Sequence, residues 1–368
     1  MHTSNSPYSF AQSFLINLFN TFIMKLEKEI TIYDIANALK ISAATVSRGL
    51  QNKNSVTDKT RKKIIDKAKE LGYRSNNFAS NLRSSKTHTI GVLMHELTST
   101  FMLSVLAGIE KVTGETKYDI IIAHSAESGI KEVANANNLF HKRVDGLIAS
   151  LAFDTPDLSH FDQFITKKIP IIFVDRVEES QSGTKVIIDN FKAGYEVTKH
   201  LIEQGCKRIA HITGSFTRNV YDQRFKGYLA ALKDYKIKYD EKLLMVSNLE
   251  KEACITAAKQ LLQMKQKPDG LFTTSDFSAA ICIQTFKQAG IKIPDDIAVA
   301  GFNNDTISTI IDPNLTTINY SGFNIGETAA RMLIGHLTGA IDITFTNTVV
   351  LNAELIIRDS SNRKKDKL

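Results

Sequence analysis

Apolar and polar positions follow two different rhythms along this chain. Between residues 31 and 72 the rhythm is helical: Ile32, Ile35, Ala36 and Leu39 recur at steps of three and four, as do Val46 and Leu50, and then Ile64, Ile65, Ala68 and Leu71. The spacing predicts three short helices around one small core. Thr31, with Asp34 three residues on, reads as a capping-box start for a helix over about 32–39. Ser42 caps a second over about 43–50, and Thr57 caps a third that Gly72 stops. Only Lys40 and Ile41 separate the first helix from the cap of the second, so the two cross steeply, with small Ala36 allowing close approach. This is helix-turn-helix geometry. From Thr89 the rhythm changes to short aliphatic runs alternating with helical segments: IGVLM, YDIIIAH, VDGLIAS, IPIIFVD, TKVIID, RIAHITG, DGLFTTS and IAVAGF. Such runs predict buried parallel strands joined by right-handed crossovers. They fall into two groups, before and after about Asp189, which predicts an α/β body of two doubly wound lobes with a cleft between them.

Composition adds little until charge is divided along the chain. The 368 residues carry 46 Lys and Arg against 39 Asp and Glu, enough chain for two or three domains. Residues 1–24 hold none of these charges, whereas residues 25–86 hold 14 basic and 6 acidic ones, a net +8 against −1 for everything else. A basic module on a faintly acidic body suggests binding to a polyanion, because Lys and Arg release counterions from phosphates; a merely solvated basic helix is the alternative. Cys206, Cys254 and Cys282 are far apart, so neither a disulfide framework nor a zinc site is encoded, and a reducing cytoplasm suits them. The most apolar window, Phe10 to Ile23, is broken by Gln12, Ser13, Asn17, Asn20 and Thr21, which argues against both a membrane span and an export signal. Met24 begins MKLEKEITIYDIA like a natural start, so residues 1–28 are expected to be a disordered extension or a mis-assigned start.

In a helix-turn-helix the second helix enters the major groove and its first residues reach base edges. Here those are Ser42, Ala43, Ala44, Thr45, Ser47 and Arg48. Arg48 can fork onto guanine, the two alanines offer only methyl contacts to thymine, and the hydroxyls fix register on phosphates. A three-helix protein-interaction unit is the alternative. The stretch TIYDIANALKISAATVSRGLQN, followed by VTDKTRKKIIDKAKELGY and NNFASNLR, resembles the DNA-binding head of the lactose-repressor (LacI/GalR) family of bacterial transcription regulators, and the resemblance continues to about Arg358. It implies that Thr31, Tyr33, Asn52 and Tyr73 join the DNA contacts. It also implies a hinge helix over Asn76–Arg83, with Asn76, Ala79 and Arg83 on DNA and Leu82 wedged into the minor groove. Eight residues fall below the roughly 12–15 that an isolated helix needs, so such a hinge orders only when paired on DNA; a plain linker is the alternative. Four departures from the family stand out. Lys40 replaces a turn glycine, Ala43 and Ala44 replace larger base-reading side chains, Ser75 replaces proline, and Ser80 replaces arginine.

The resemblance extends to the body, where it implies a periplasmic-binding-protein-like architecture. Ligands in open parallel sheets bind beyond the C-terminal strand ends. Phe101 and Met102 follow the first run, Asp175 and Arg176 the fourth, and Arg218 and Arg224 follow RIAHITG. Phe272, Ser275 and Asp276 belong to DGLFTTSD, and Asn303 follows IAVAGF. Matched position by position, these resemble the family's effector site: carboxylates and amides suit sugar hydroxyls, Arg forks suit oxygens, and aromatic faces stack on a ring. Asp175 or Asp276 as a plain helix cap, and Arg224 as a structural partner, remain open. Asn303 replaces a frequent aspartate and Met102 a frequent aromatic.

The expected organisation is an extension (1–28), a head (29–74), a hinge and linker (75–87), an effector-binding and dimerisation body (88–360) and a basic tail (361–368). Within the body, lobe 1 is about 88–188 plus 321–343 and lobe 2 about 189–320 plus 344–360. The expected function is a cytoplasmic, homodimeric regulator, with a tetramer left open. Its affinity for double-stranded operator DNA responds to a small effector, by family resemblance a sugar or sugar derivative, with no cofactor, metal or membrane partner. An enzyme or a solute-binding protein on the same fold is the alternative. The sequence has no G-x-G-x-x-G after the first run, no P-loop and no H-E-x-x-H, and His88, His95, His124, His141 and His211 are scattered.

Overall fold

The computed structural model describes residues 29–51, 55–74, 86–178, 183–344 and 348–363. The chain separates into two compact units, divided between Ser85 and Lys86. In the first unit, α1 (Ile32–Leu39), α2 (Ala43–Leu50) and α3 (Asp58–Glu70) close on a core in which Ile35, Val46 and Ile64 are wholly buried and Ala36, Val56 and Ala68 nearly so. Ser42 and Thr57 cap α2 and α3 by accepting the N–H of Thr45 and Thr60. Ile65 is 38% exposed, against expectation, because one helical step from Ile64 turns it off the inward face. Gly49 lies where any Cβ would run into the Ile64 side chain, so α2 and α3 touch with nothing between them.

Lys40 ends α1 at φ 53° and ψ 43°, and the following N–H of Ile41 reaches back to the Ala36 carbonyl at 3.1 Å. A left-handed residue is what so short a turn needs. Lys adopts it at about 1 kcal/mol more strain than Gly.

The second unit contains β1 (Thr89–Met94), α4 (Thr100–Gly114), β2 (Asp119–His124), α5 (Gly129–His141), β3 (Gly146–Ala149), α6 (Asp162–Thr166), β4 (Ile171–Val174) and β5 (Thr184–Ile188) in its first lobe. The second lobe contains α7 (Asn190–Glu203), β6 (Ile209–Thr213), α8 (Asn219–Asp234), β7 (Leu244–Val246), α9 (Lys251–Gln263), β8 (Gly270–Thr273), α10 (Asp276–Gln288), β9 (Ala298–Ala300) and α11 (Ile307–Ile310). Then follow β10 (Thr317–Asn319), α12 (Gly322–Thr338), β11 (Thr348–Leu351) and β12 (Glu354–Ile356). The first sheet has the order β2-β1-β3-β4-β5-β11 and the second β7-β6-β8-β9, every pair parallel, while β10 and β12 pair antiparallel. Strands β3, β4, β6 and β8 are buried at every residue, as their unbroken aliphatic runs require.

Two expectations about the lobes change. Strand β11 pairs with β5 in the first sheet, with Val349 and Leu351 packed against its core, so the last passage between lobes comes near Asn352 rather than at 344. Residues 361–363 are no tail. Ser361 Oγ lies 2.6 Å from Thr316 Oγ1 and 2.7 Å from His200 Nε2, and Arg363 donates to the carbonyls of Asp269 (2.6 Å) and Pro294 (2.8 Å). The chain therefore passes between lobes three times, near residues 189, 320 and 352.

Each lobe contains one helix pair in direct backbone contact. A Cβ on Gly108 of α4 would overlap the Phe323 carbonyl of α12, and one on Gly326 would overlap the Val105 carbonyl. A Cβ on Gly194 of α7 would overlap the Arg224 carbonyl of α8, and one on Gly227 the Phe191 carbonyl. Among the described residues, no helix is long and apolar enough to cross a membrane.

Candidate functional sites in the head and between the lobes

In the head, the residues expected on DNA lie along one end of α1 and α2. Tyr33 is 67% exposed, and Thr31, Ser42, Ala44 and Arg48 are exposed as well. The Thr31 N–H and hydroxyl both donate to the Asp34 carboxylate, at 2.8 and 2.6 Å, which fixes the start of α1. Ser42 Oγ accepts the Thr45 N–H at 3.1 Å and lies 2.9 Å from its hydroxyl, so both side chains are first of all capping groups. Arg48 Nε donates to the Ala44 carbonyl at 3.2 Å, leaving the rest of the guanidinium outward. Ser47 is half-buried. Ala43 and Tyr73 are half-buried too and pack against the head core, so each presents only part of its surface. On α3, Lys59, Lys62, Lys63 and Lys69 are exposed. Asn52, Asn76, Ala79, Leu82 and Arg83 lie outside the described residues, and so do Ser75 and Ser80.

Between the lobes the expected residues converge in a different manner, with their polar groups satisfied by one another. Phe101, in the first turn of α4, lies against Tyr320 with ring centroids 4.4 Å apart. The Tyr320 hydroxyl donates to Asp175 Oδ1 at 3.0 Å. Asp175 sits at φ 59°, fully buried; burial raises its pKa, while the Arg176 and Arg224 charges pull the other way. Arg176 Nη1 donates to both oxygens of Glu127, at 2.8 and 2.7 Å, and Nη2 donates to the Tyr221 hydroxyl at 3.1 Å. Its guanidinium lies 4.1 Å from the Phe153 ring centroid. Arg224 donates to Asn190 Oδ1 (2.8 Å) and the Thr274 carbonyl (3.1 Å) and lies 3.6 Å from the Phe302 centroid. Arg218 donates to the carbonyls of Phe153 and Thr155.

Asp276 opens α10 and is wholly buried, accepting the Thr317 hydroxyl at 2.6 Å and the Asp305 N–H at 2.8 Å. Burial pushes its pKa up to about 8, so the group holds a proton at neutral pH. Asn303, at φ 108°, is half-buried beside Asp305. Ser275 is the N-cap of α10, its Oγ accepting the Ser278 N–H at 3.1 Å. Two expected residues are not cleft residues here. Met102 faces the sheet from α4 and is 1% exposed, and Phe272 faces inward from β8, 4.6 Å from the His211 ring, with no exposure. Burial drops His211 to about 3, so it stays a neutral core group, and His95, bonded to Ser150 Oγ at 2.9 Å, is likewise held well below its usual value by burial.

The sequence expectations missed Glu127, Phe153, Asn190, Tyr221, Phe302 and Tyr320, all of them partners of the expected residues. Tyr320 alone had a legible signal, standing just before the Ser321 cap where the chain returns to lobe 1. Glu127 lies in a loop, in the left-handed pair Ala126–Glu127, which no spacing announces.

Comparison with known proteins gives the same division. A model described as bacterial regulatory proteins, lacI family, matches residues 31–76, and one described as periplasmic binding protein-like domain matches residues 198–361. Catabolite control protein A of Priestia megaterium is 30% identical over 309 residues, 84% of this chain and 92% of that protein. The HTH-type transcriptional repressor PurR of Photobacterium profundum is 30% identical over 332 residues, 90% and 98% of the two chains. A solved complex of the transcriptional regulator CelR with cellobiose superposes at a TM-score of 0.67 with 26% identity, covering 90% of this chain and 100% of that one. The lac repressor dimer bound to operator and the anti-inducer ONPF superposes at 0.81 over 91% and 99% of the chains; at 21% identity it shows a shared fold. The relatives named are transcription regulators.

Proposed function

The chain belongs to the LacI family of bacterial regulatory proteins, and from that premise we propose that it is a cytoplasmic, homodimeric transcription repressor. Two heads read adjacent half-sites of operator DNA, and a sugar or sugar derivative bound between the lobes controls that affinity. The observation that carries this reading is the pairing of two unlike units in one chain. One is a three-helix head with Arg48 and four α3 lysines turned to solvent; the other places arginines, carboxyls and aromatic rings at the ends of parallel strands. In the head, Arg48 supplies the guanine-type contact, Thr31, Tyr33, Ser42, Thr45 and Ser47 grip the backbone, and Ala43 and Ala44 touch bases through methyl groups. Asn52, Tyr73, Asn76, Ala79, Leu82 and Arg83 complete the DNA contacts. Between the lobes, Phe101 and Tyr320 form a stacking face, and Asp175, Arg176, Arg218, Arg224, Asp276 and Asn303 supply the polar contacts to ligand hydroxyls. A second copy is required on geometric grounds, because one head buries too little surface for strong specificity. Control requires that the ligand bind the DNA-competent and incompetent forms unequally.

The test is to compare the full chain with one lacking residues 25–86. The full chain is expected to bind a selected duplex with a log–log salt slope of about −0.9 per phosphate contact. The shortened chain is expected to bind none while keeping thermal stabilisation by the same carbohydrate. Loss of that stabilisation from a folded body would overturn the modular reading.

A further inference from the structure

The interlobe contacts include a set that a ligand site does not account for. The first residues of α8, in lobe 2, hydrogen-bond directly to two segments of lobe 1. Asn219 Oδ1 accepts the Val177 N–H at 2.9 Å, and its Nδ2 donates to the Asp175 carbonyl at 3.3 Å. Thr217 Oγ1 donates to the Phe153 carbonyl at 3.3 Å, and Arg218 donates to that carbonyl at 3.3 Å and to the Thr155 carbonyl at 2.7 Å. Two residues further on, Tyr221 stacks on Phe153 with centroids 5.5 Å apart and 18° between planes. The lobe 1 side of this contact is itself braced. Glu132, wholly buried, accepts the Ala152 N–H (2.7 Å) and the Thr155 hydroxyl (3.0 Å), and Glu127 accepts the Phe153 N–H (3.1 Å).

We propose that Thr217–Asn219 is a built-in latch that holds the two lobes closed by direct protein-to-protein hydrogen bonds, with no bridging molecule required. Every donor and acceptor in it belongs to the chain, and each side is positioned by its own lobe: Asn219 by the helix it opens, the Phe153 and Thr155 carbonyls by Glu132. The latch makes the closed arrangement the resting one. A ligand that recruits Arg218 must detach it from the Phe153 and Thr155 carbonyls and so loosens the latch. A ligand seated on the Phe101 and Tyr320 side leaves those bonds in place. This regulatory meaning rests on the effector reading above, whereas the latch itself does not depend on what the ligand or the DNA sequence is.

Amide hydrogen exchange on the full chain, with no carbohydrate or DNA added, tests it at the Val177 N–H. That amide is expected to be protected in the unaltered protein. Asn219→Ala is expected to speed its exchange about tenfold, the loss of one hydrogen bond of ordinary strength, with the amides of Ile148 and Ala149 in β3 unchanged. Asn219→Asp keeps an acceptor oxygen at the first position of α8, where a carboxylate suits the helix dipole, and is expected to keep the protection. Exchange of Val177 at the rate of an exposed amide in the unaltered chain, or equal exchange in the Ala variant, overturns the latch. Should the Ala variant not fold, Thr217→Val removes one bond from the surface and is expected to speed Val177 exchange two- to threefold, and no change would count against the proposal. These outcomes are separate from the head deletion above, which leaves α8 intact.

Discussion

The head and the interlobe region use polar side chains in opposite ways. In the head, Tyr33, Arg48 and the α3 lysines stand clear of a core built from six small or aliphatic residues, and what they meet lies outside the protein. Between the lobes, Asp175, Arg176, Arg218 and Arg224 are each less than 7% exposed and bonded to other parts of the chain. A surface meant for a long polyanion can be prepared in advance and left open to water. A site meant for a small molecule has to be dehydrated, so its groups must find partners in the protein whenever the ligand is not holding them. The difference teaches that function in the head depends on projection, and between the lobes on exchange of partners.

Four measurements would break or sharpen this contrast. The largest effect is expected from Ile64→Ala, which empties the centre of the head at a cost of about 2–5 kcal/mol. Scanning calorimetry should show the head transition lost and the body transition unmoved, and a shift of both would mean that the units are not independent. Next comes Asp276. Its folded pKa, about 8, lies above that of an unfolded Asp, so the folded body binds the extra proton and loses stability as pH rises from about 4 to 8. Asp276→Asn should flatten that decline, an effect on the order of a few kcal/mol across the window, read from urea midpoints at a series of pH values; an unchanged slope would remove the buried acid from the account. Arg48→Ala should cost about 1–3 kcal/mol of preference for one base pair, read by competition between duplexes, with ligand stabilisation of the body untouched. Smallest is Lys40→Gly, expected to raise the head transition by about 1 kcal/mol or less as the left-handed turn relaxes; a drop would show that the lysine side chain contributes something the turn geometry does not require.

Much of the fold is legible in residue patterning because its signals are local. Thr31, Ser42 and Thr57 announce the three head helices, and eight aliphatic runs announce eight strands. The strands that escape notice are short and half-exposed: β7, β10 and β12 have three residues each, and β11 alternates exposed and half-buried positions on a sheet edge. The site was legible only from one side. Strand ends locate Asp175 and Arg224, but their partners Tyr320 and Asn190 come from distant parts of the chain, and nothing in the spacing says that they will meet. Phe272 shows the converse error. Its place near a strand end suggests a ligand face, but side chains alternate across a strand, and the one-residue phase that turns it inward was not resolved.

The glycine contacts between α4 and α12, and between α7 and α8, set the style of motion available to this body. Helices whose main chains rest on each other have no cushion of side chains to repack, so neither partner can slip along the other without collision. Internal gliding within a lobe is thereby blocked. What stays soft is the set of single-chain passages near residues 189, 320 and 352, so the two halves should swing as blocks about those three pivots, like covers about a spine.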